Sequence, residues 1–141
     1  MSTERTRETM EAYLDALMKR GAYGQYFTDA VTFTLMGSGQ AVQGQPAVEG
    51  FIRFLHEQAF DAQPRVRTVI SGDGQAALEA DFIGTHAGEF LGVPATGRSV
   101  HVPYSVTYDL AGDKITALRV YMPMDVLMQQ LSASAPAPAG A

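Results

Sequence analysis

The sequence predicts an α+β domain in which a curved antiparallel sheet wraps around helices like a cone. Three observations predict it. Helical periodicity is concentrated in the first part of the chain, long alternating segments fill the second, and a short apolar helical stripe closes the domain. A sheet curved in this way encloses an apolar interior, a natural place for a small ligand.

The first helix is predicted over Thr3–Arg20. Met10, Tyr13, Leu14, Leu17 and Met18 fall on one stripe, and Gly21 stops it. Tyr23–Phe27 reads as a short helix or turn. Ala30–Met36 reads as a strand, with Val31, Phe33 and Leu35 alternating against Thr32 and Thr34, and Gly37-Ser38-Gly39 turns the chain. Pro46 opens a second helix that carries Val48, Phe51, Ile52, Leu55 and Ala59 on its apolar stripe to Phe60. His56 borders that stripe. Asp61–Pro64 reads as a loop and Arg65–Ser71 as a strand. Gln75–Phe90, Arg98–Leu110 and Lys114–Met122 read as three long strands, the last two joined by a tight Ala111-Gly112-Asp113 hairpin. Met124–Leu131 is a short final helix. The last ten residues, Ser132–Ala141, are low in complexity and predicted to be a disordered tail behind a single domain over 1–131.

Composition narrows the function. The chain has 141 residues, enough for one domain with a real core, and is 46% hydrophobic and 18% charged. The net charge of −5, with no basic cluster, argues against nucleic acid as a partner. No apolar run reaches the roughly 20 residues that span a bilayer, and the polar start, Met1-Ser2-Thr3-Glu4-Arg5, is unlike a secretory signal. The absence of cysteine excludes disulfides and thiol chemistry and fits a cytoplasmic protein. The three histidines, His56, His86 and His101, have no short ligand spacing, so no metal site is expected.

Chemistry concentrates in the segment Gly84–Arg98, G-T-H-A-G-E-F-L-G-V-P-A-T-G-R. His86 shares a strand face with Leu78, Ala80, Phe82 and Gly84, the face expected to line the cavity. Two readings of it stand: a proton carrier, or a buried histidine held by hydrogen bonds. Tyr13 is a candidate donor to a ligand carbonyl or a core aromatic. Tyr104, on the Val100–Val102–Val106–Tyr108 face, is a second such candidate. His56, Phe82 and the soft Met122 are candidate ligand contacts. Asp125 is the one carboxylate near the last helix, a candidate acid or a charge favoured by the helix dipole. Glu79, Asp81 and His101 are expected on the outer face, with Arg119 able to pair with either acid.

The order of elements, together with the Gly84–Arg98 string, Gly44-Gln45-Pro46-Ala47-Val48, Asp113-Lys114-Ile115 and Leu127-Met128-Gln129-Gln130-Leu131, resembles the SnoaL-like polyketide cyclases, or ester cyclases, of the nuclear-transport-factor-2-like superfamily. The resemblance spans about Glu8–Leu131. It implies a cofactor-free cyclase or isomerase in which a carboxylate and a histidine move protons in an apolar pocket, on a small hydrophobic, polyketide-like carbonyl compound. It places the family histidine at His86. The family aspartate, in a Y-x-D pattern before the last helix, falls on Pro123, with Asp125 two residues later. That departure supports an alternative: a small-ligand-binding module without catalysis. The M-x-x-Y-x-x-A-L pattern at Met10, Tyr13, Ala16 and Leu17 resembles the first helix of ketosteroid isomerase. That enzyme's two aspartates fall near Thr34 and Tyr104 here. The fold also implies pairing of two sheets into a homodimer.

Overall fold

A computed structural model describes residues 2–132 of the chain. Ser132, where the predicted tail begins, is instead the last residue of the final helix, and the rest of that tail, 133–141, lies outside the described residues. Helix α1, Thr3–Met18, starts at Ser2, whose hydroxyl accepts the Arg5 N–H at 3.1 Å and so satisfies one of the free amide groups of the first turn. It ends two residues earlier than its periodicity suggests because Arg20 adopts the left-handed conformation (φ 53°) and Gly21 N–H closes back onto Ala16 O. A single turn at Tyr23–Tyr26 leads into β1, Phe27–Leu35, and β2, Gln40–Gln43. β2 is short, polar and largely exposed, which is why no alternation marks it in the sequence.

Helix α2, Gln45–Arg53, has Pro46 in its first turn. The sequence reads on as one helix to Phe60. The chain instead widens at Phe54–Ala59 into a π-helical turn, a rare arrangement frequent at functional sites. β3 then runs from Phe60 to Ser71, so the predicted loop Asp61–Pro64 is strand, paired with β4 from Phe60–His86 through Pro64–Phe82. Pro64 is tolerated because β3 is the sheet edge and needs no second hydrogen-bonding neighbour. β4, Gln75–His86, is shorter than expected; Phe90 beyond it pairs only with Val93 in a separate turn. β5, Ser99–Ala111, β6, Lys114–Tyr121, and α3, Met124–Ser132, complete the chain.

The six strands form one curved, open sheet in the order β2-β1-β6-β5-β4-β3. β3 to β6 are an antiparallel meander; β1 lies parallel to β6. The concave face closes over two apolar clusters. The larger contains Met10, Tyr13 and Leu17 of α1, Val48 and Ile52 of α2, and Leu78, Val106, Tyr108 and Leu118 of the sheet. The smaller joins Phe60, Phe82, Val100 and Val102 to Phe90 and to Leu127 and Leu131 of α3. Tyr104 and Met122 pack against both. Among the described residues no helix is long and apolar enough to cross a membrane.

Two expectations for the outer face change. Arg119 pairs with Asp109 at 2.7 Å, not with Glu79 or Asp81. Asp81 is 1% exposed, because Arg67 at 2.7 Å and His101 at 3.4 Å lie over it. These covering side chains are themselves more than half exposed, so the carboxylate is roofed over at the surface and not part of the core. Burial works to raise its pKa, and the bonds from Arg67 and His101 overcome that and hold it below the usual carboxylate range.

Candidate active site

Under the concave face, α1, α2 and the sheet leave a cavity of about 60 Å³. Its wall includes Tyr13, His56, Phe82, Tyr104 and Met122, five of the residues singled out in the sequence, together with Tyr108. A second cavity, about 50 Å³, adjoins it and shares Phe33, Leu55, Phe82, Val120 and Met122. A larger hollow, about 640 Å³, is an open groove along Met18–Arg20 and Asp61–Arg65. It encloses nothing and holds none of the candidate groups.

Tyr13 projects from the buried stripe of α1 and meets Tyr108 edge-on with ring centres 6.0 Å apart. Burial raises the pKa of both Tyr13 and Tyr104 well above the ordinary phenol value. The two hydroxyls therefore stay protonated at neutral pH and are hydrogen-bond donors.

His56 sits in the π-helical turn. Its Nδ1 lies 2.8 Å from Ile52 O. A carbonyl only accepts, so Nδ1 carries the proton and Nε2 of the neutral ring carries the lone pair. Nε2 is buried and has no hydrogen-bond partner. Burial lowers the His56 pKa, opposed by the Ile52 bond and reinforced by the Arg20 cation, so the ring is neutral at pH 7. Phe82 meets it edge-on at 5.5 Å.

The turn is clasped from outside. Arg20 Nη2 donates to His56 O and Ala62 O, both at 3.1 Å, and pairs with Asp61 at 2.8 Å. Arg53 reaches back to the carbonyls of Arg20 and Gly21. Each arginine thus fastens the other's segment.

A neutral base and two phenol donors in an apolar cavity of an α+β cone are the elements of cofactor-free proton transfer. The family model for SnoaL-like polyketide cyclases matches residues 7–131. The chain belongs to the SnoaL-like polyketide cyclase family. Solved structures share its nuclear-transport-factor-2-like cone. One described as a SnoaL-like polyketide cyclase of a Jannaschia species is 23% identical, with a TM-score of 0.83 over 93% of this chain and 94% of that one. One described as a polyketide cyclase of Xanthomonas campestris is 20% identical, with a TM-score of 0.82 over 92% and 98%. One described as a ketosteroid isomerase of Kribbella flavida is 17% identical, with a TM-score of 0.66 over 86% and 79%. No curated protein matches the chain.

In this SnoaL-like chain His86 stands apart from the other candidates. It is fully buried, packed against Phe60 at 5.3 Å, and lines neither cavity. Phe60 in turn packs on Phe82 at 5.2 Å, so the expected cavity-facing histidine is one aromatic layer behind the cavity wall. Thr96 N–H donates to its Nδ1 at 3.2 Å and Thr96 Oγ1 lies at 2.9 Å. Nδ1 is therefore the acceptor and Nε2 carries the proton, the opposite tautomer to His56. With Gly97 N–H bonded to His86 O and His86 N–H to Arg98 O, these contacts fasten the Gly84–Arg98 turn.

Asp125 lies exposed in the first turn of α3, where a carboxylate favours the helix dipole, and outside both cavities. Pro123 O accepts the Val126 and Leu127 N–H groups, so Pro123 begins the helix. Among the described residues no three histidine or carboxylate side chains converge to hold a metal.

The sequence placed His56 beside the site but gave it no proton-transfer role. Its signal is a buried unpartnered Nε2, which His86 also has, combined with a place in the cavity wall, which His86 lacks; that place depends on the widened turn and has no mark in residue type.

Proposed function

We propose that this SnoaL-like protein catalyses cofactor-free acid–base cyclisation or isomerisation of a small hydrophobic carbonyl compound. The supporting observation is that His56, a neutral base with an unpartnered Nε2, shares one apolar cavity with the protonated Tyr13 and Tyr104. His56 Nε2 takes a proton from the carbon next to the carbonyl. The electron pair moves onto the carbonyl oxygen, where Tyr13 and Tyr104 donate hydrogen bonds to the growing negative charge. Returning the proton at another carbon completes an isomerisation. Attack of the enolate carbon on a second carbonyl, with the proton delivered to the new alkoxide, completes a cyclisation. His86 acts behind this site by holding the Gly84–Arg98 turn. A base weaker than ordinary histidine requires an acidified C–H, as between two carbonyls or next to an enone.

The alternative is a ligand-binding module without catalysis, favoured by Pro123 in the aspartate's place and by the small cavity. Hydrogen–deuterium exchange of ketone C–H groups separates the two without knowledge of the substrate. Incubation with 1,3-diketones in D₂O, followed by NMR, is expected to show exchange about 10²–10⁴ times faster with the protein than with His56→Gln. Binding with no accelerated exchange in the unmodified protein establishes the binding module instead. Loss of one donor in Tyr13→Phe is expected to slow exchange about 10²-fold. In this reading the protein works in the cytoplasm as a homodimer paired through the outer sheet face, which sedimentation tests.

A further inference from the structure

The two cavities share five wall residues, Phe33, Leu55, Phe82, Val120 and Met122. Of the five residues they share, Phe33, Phe82 and Val120 lie on ladder-paired strands and Leu55 lies in the clasped turn. Met122 differs. It follows the last residue of β6, precedes α3, is half-buried, and packs against both halves of the core. It is also the one unbranched, three-torsion side chain of the five, the type that changes shape at least cost. The first cavity carries the polar groups. The second is walled by Phe33, Leu35, Phe51, Phe60, Phe90 and Leu127 among other apolar residues. Neither approaches the roughly 300 Å³ of a site that encloses a drug-sized ligand.

We propose that Met122 is a movable partition that sets substrate shape: a compact carbonyl head beside Tyr13 and His56, and a flexible apolar tail threaded past Met122 into the second cavity. This rests on the reading that a carbonyl compound occupies the first cavity. A fused-ring ketone has no such tail and is excluded by the separate small chambers. A straight chain passes when the Met122 thioether swings aside.

The test is titration of the full chain with 2-butanone, 2-hexanone, 2-octanone and the fused-ring 2-acetylnaphthalene, read by calorimetry and by the methionine methyl NMR signals. In the unmodified protein affinity is expected to rise roughly fourfold per added methylene, with the Met122 methyl signal shifting and 2-acetylnaphthalene failing to bind. Met122→Leu keeps the volume but is branched and stiffer, and is expected to lose the gain from 2-hexanone to 2-octanone. Met122→Ala is expected to admit 2-acetylnaphthalene. Affinity independent of chain length in the unmodified protein, or unchanged 2-octanone affinity in Met122→Leu, overturns the proposal. Chain-length dependence without accelerated C–H exchange keeps the partition and removes the enzyme reading. Accelerated exchange with no chain-length dependence does the reverse.

Discussion

His56 is stabilised in its neutral form, and that has a thermodynamic consequence at the scale of one residue. Burial lowers its folded pKa below 6.5, near which the unfolded chain takes up the same proton. Between those two pKa values the unfolded state holds more protons than the folded one, so stability falls as pH drops through this window. The contribution is fully present above 6.5. Melting curves from pH 8 to pH 5 are therefore expected to show a steeper acid loss in the unmodified protein than in His56→Gln. Parallel curves would mean that the ring is not held neutral. The acid limb of any catalysed exchange is expected below 6.5 and absent from the variant. His86 shows how hydrogen bonds divide roles between chemically identical side chains. By accepting from Nδ1, Ile52 O keeps the proton of the His56 ring on that nitrogen, whereas the Thr96 N–H donates to Nδ1 of His86 and so leaves that ring's proton on Nε2.

Among the elements, β3 and β4 approach each other closely at Gly84. A Cβ there would collide with Asp61 O and come within 2.5 Å of the Ala62 Cβ. The strand pair has no slack to absorb a methyl group, because Gly84 lies directly opposite Ala62 in the register. Gly84→Ala is expected to cost about 1–3 kcal/mol in urea unfolding, and a neutral result would show that the pair separates easily. The glycine in the G-T-H string thus lets β3 lie tight against β4, and β3 begins directly after the turn that holds His56.

Across the whole molecule, Arg20 ties three distant segments: the end of α1, the π-helical turn and the start of β3. All three contacts converge on one nitrogen, Nη2, held at the end of a rigid planar group, which a lysine ammonium on a flexible stem places less firmly. Arg20→Lys is expected to lower C–H exchange by up to ~10²-fold through misplacement of His56. Asp61→Asn, which leaves both carbonyl contacts in place, is expected to retain activity. Equal losses in the two variants, measured as exchange rates under saturating ketone, would assign the effect to the ion pair alone.

The sequence by itself determined the α+β cone, the family and most of the cavity wall. Period in hydrophobicity is local, so the stripe of Met10, Tyr13 and Leu17 and the alternation through Leu78, Ala80 and Phe82 state which faces are buried. It also made Tyr13, His56, Phe82, Tyr104 and Met122 candidates, because aromatic, histidine and methionine side chains on buried faces are what such a wall is made of. Only the tertiary structure decided which histidine lines the cavity. His86 lies in the Gly84–Arg98 string that drew attention in the sequence, yet Phe60 arrives from β3 to cover it, and that pairing depends on a strand whose Asp61–Pro64 stretch has loop composition. His56 enters the wall because the helix widens at Phe54. No residue type signals that widening. Backbone hydrogen bonds and the Arg20 clasp hold it, and those contacts exist only once segments some 36 residues apart meet.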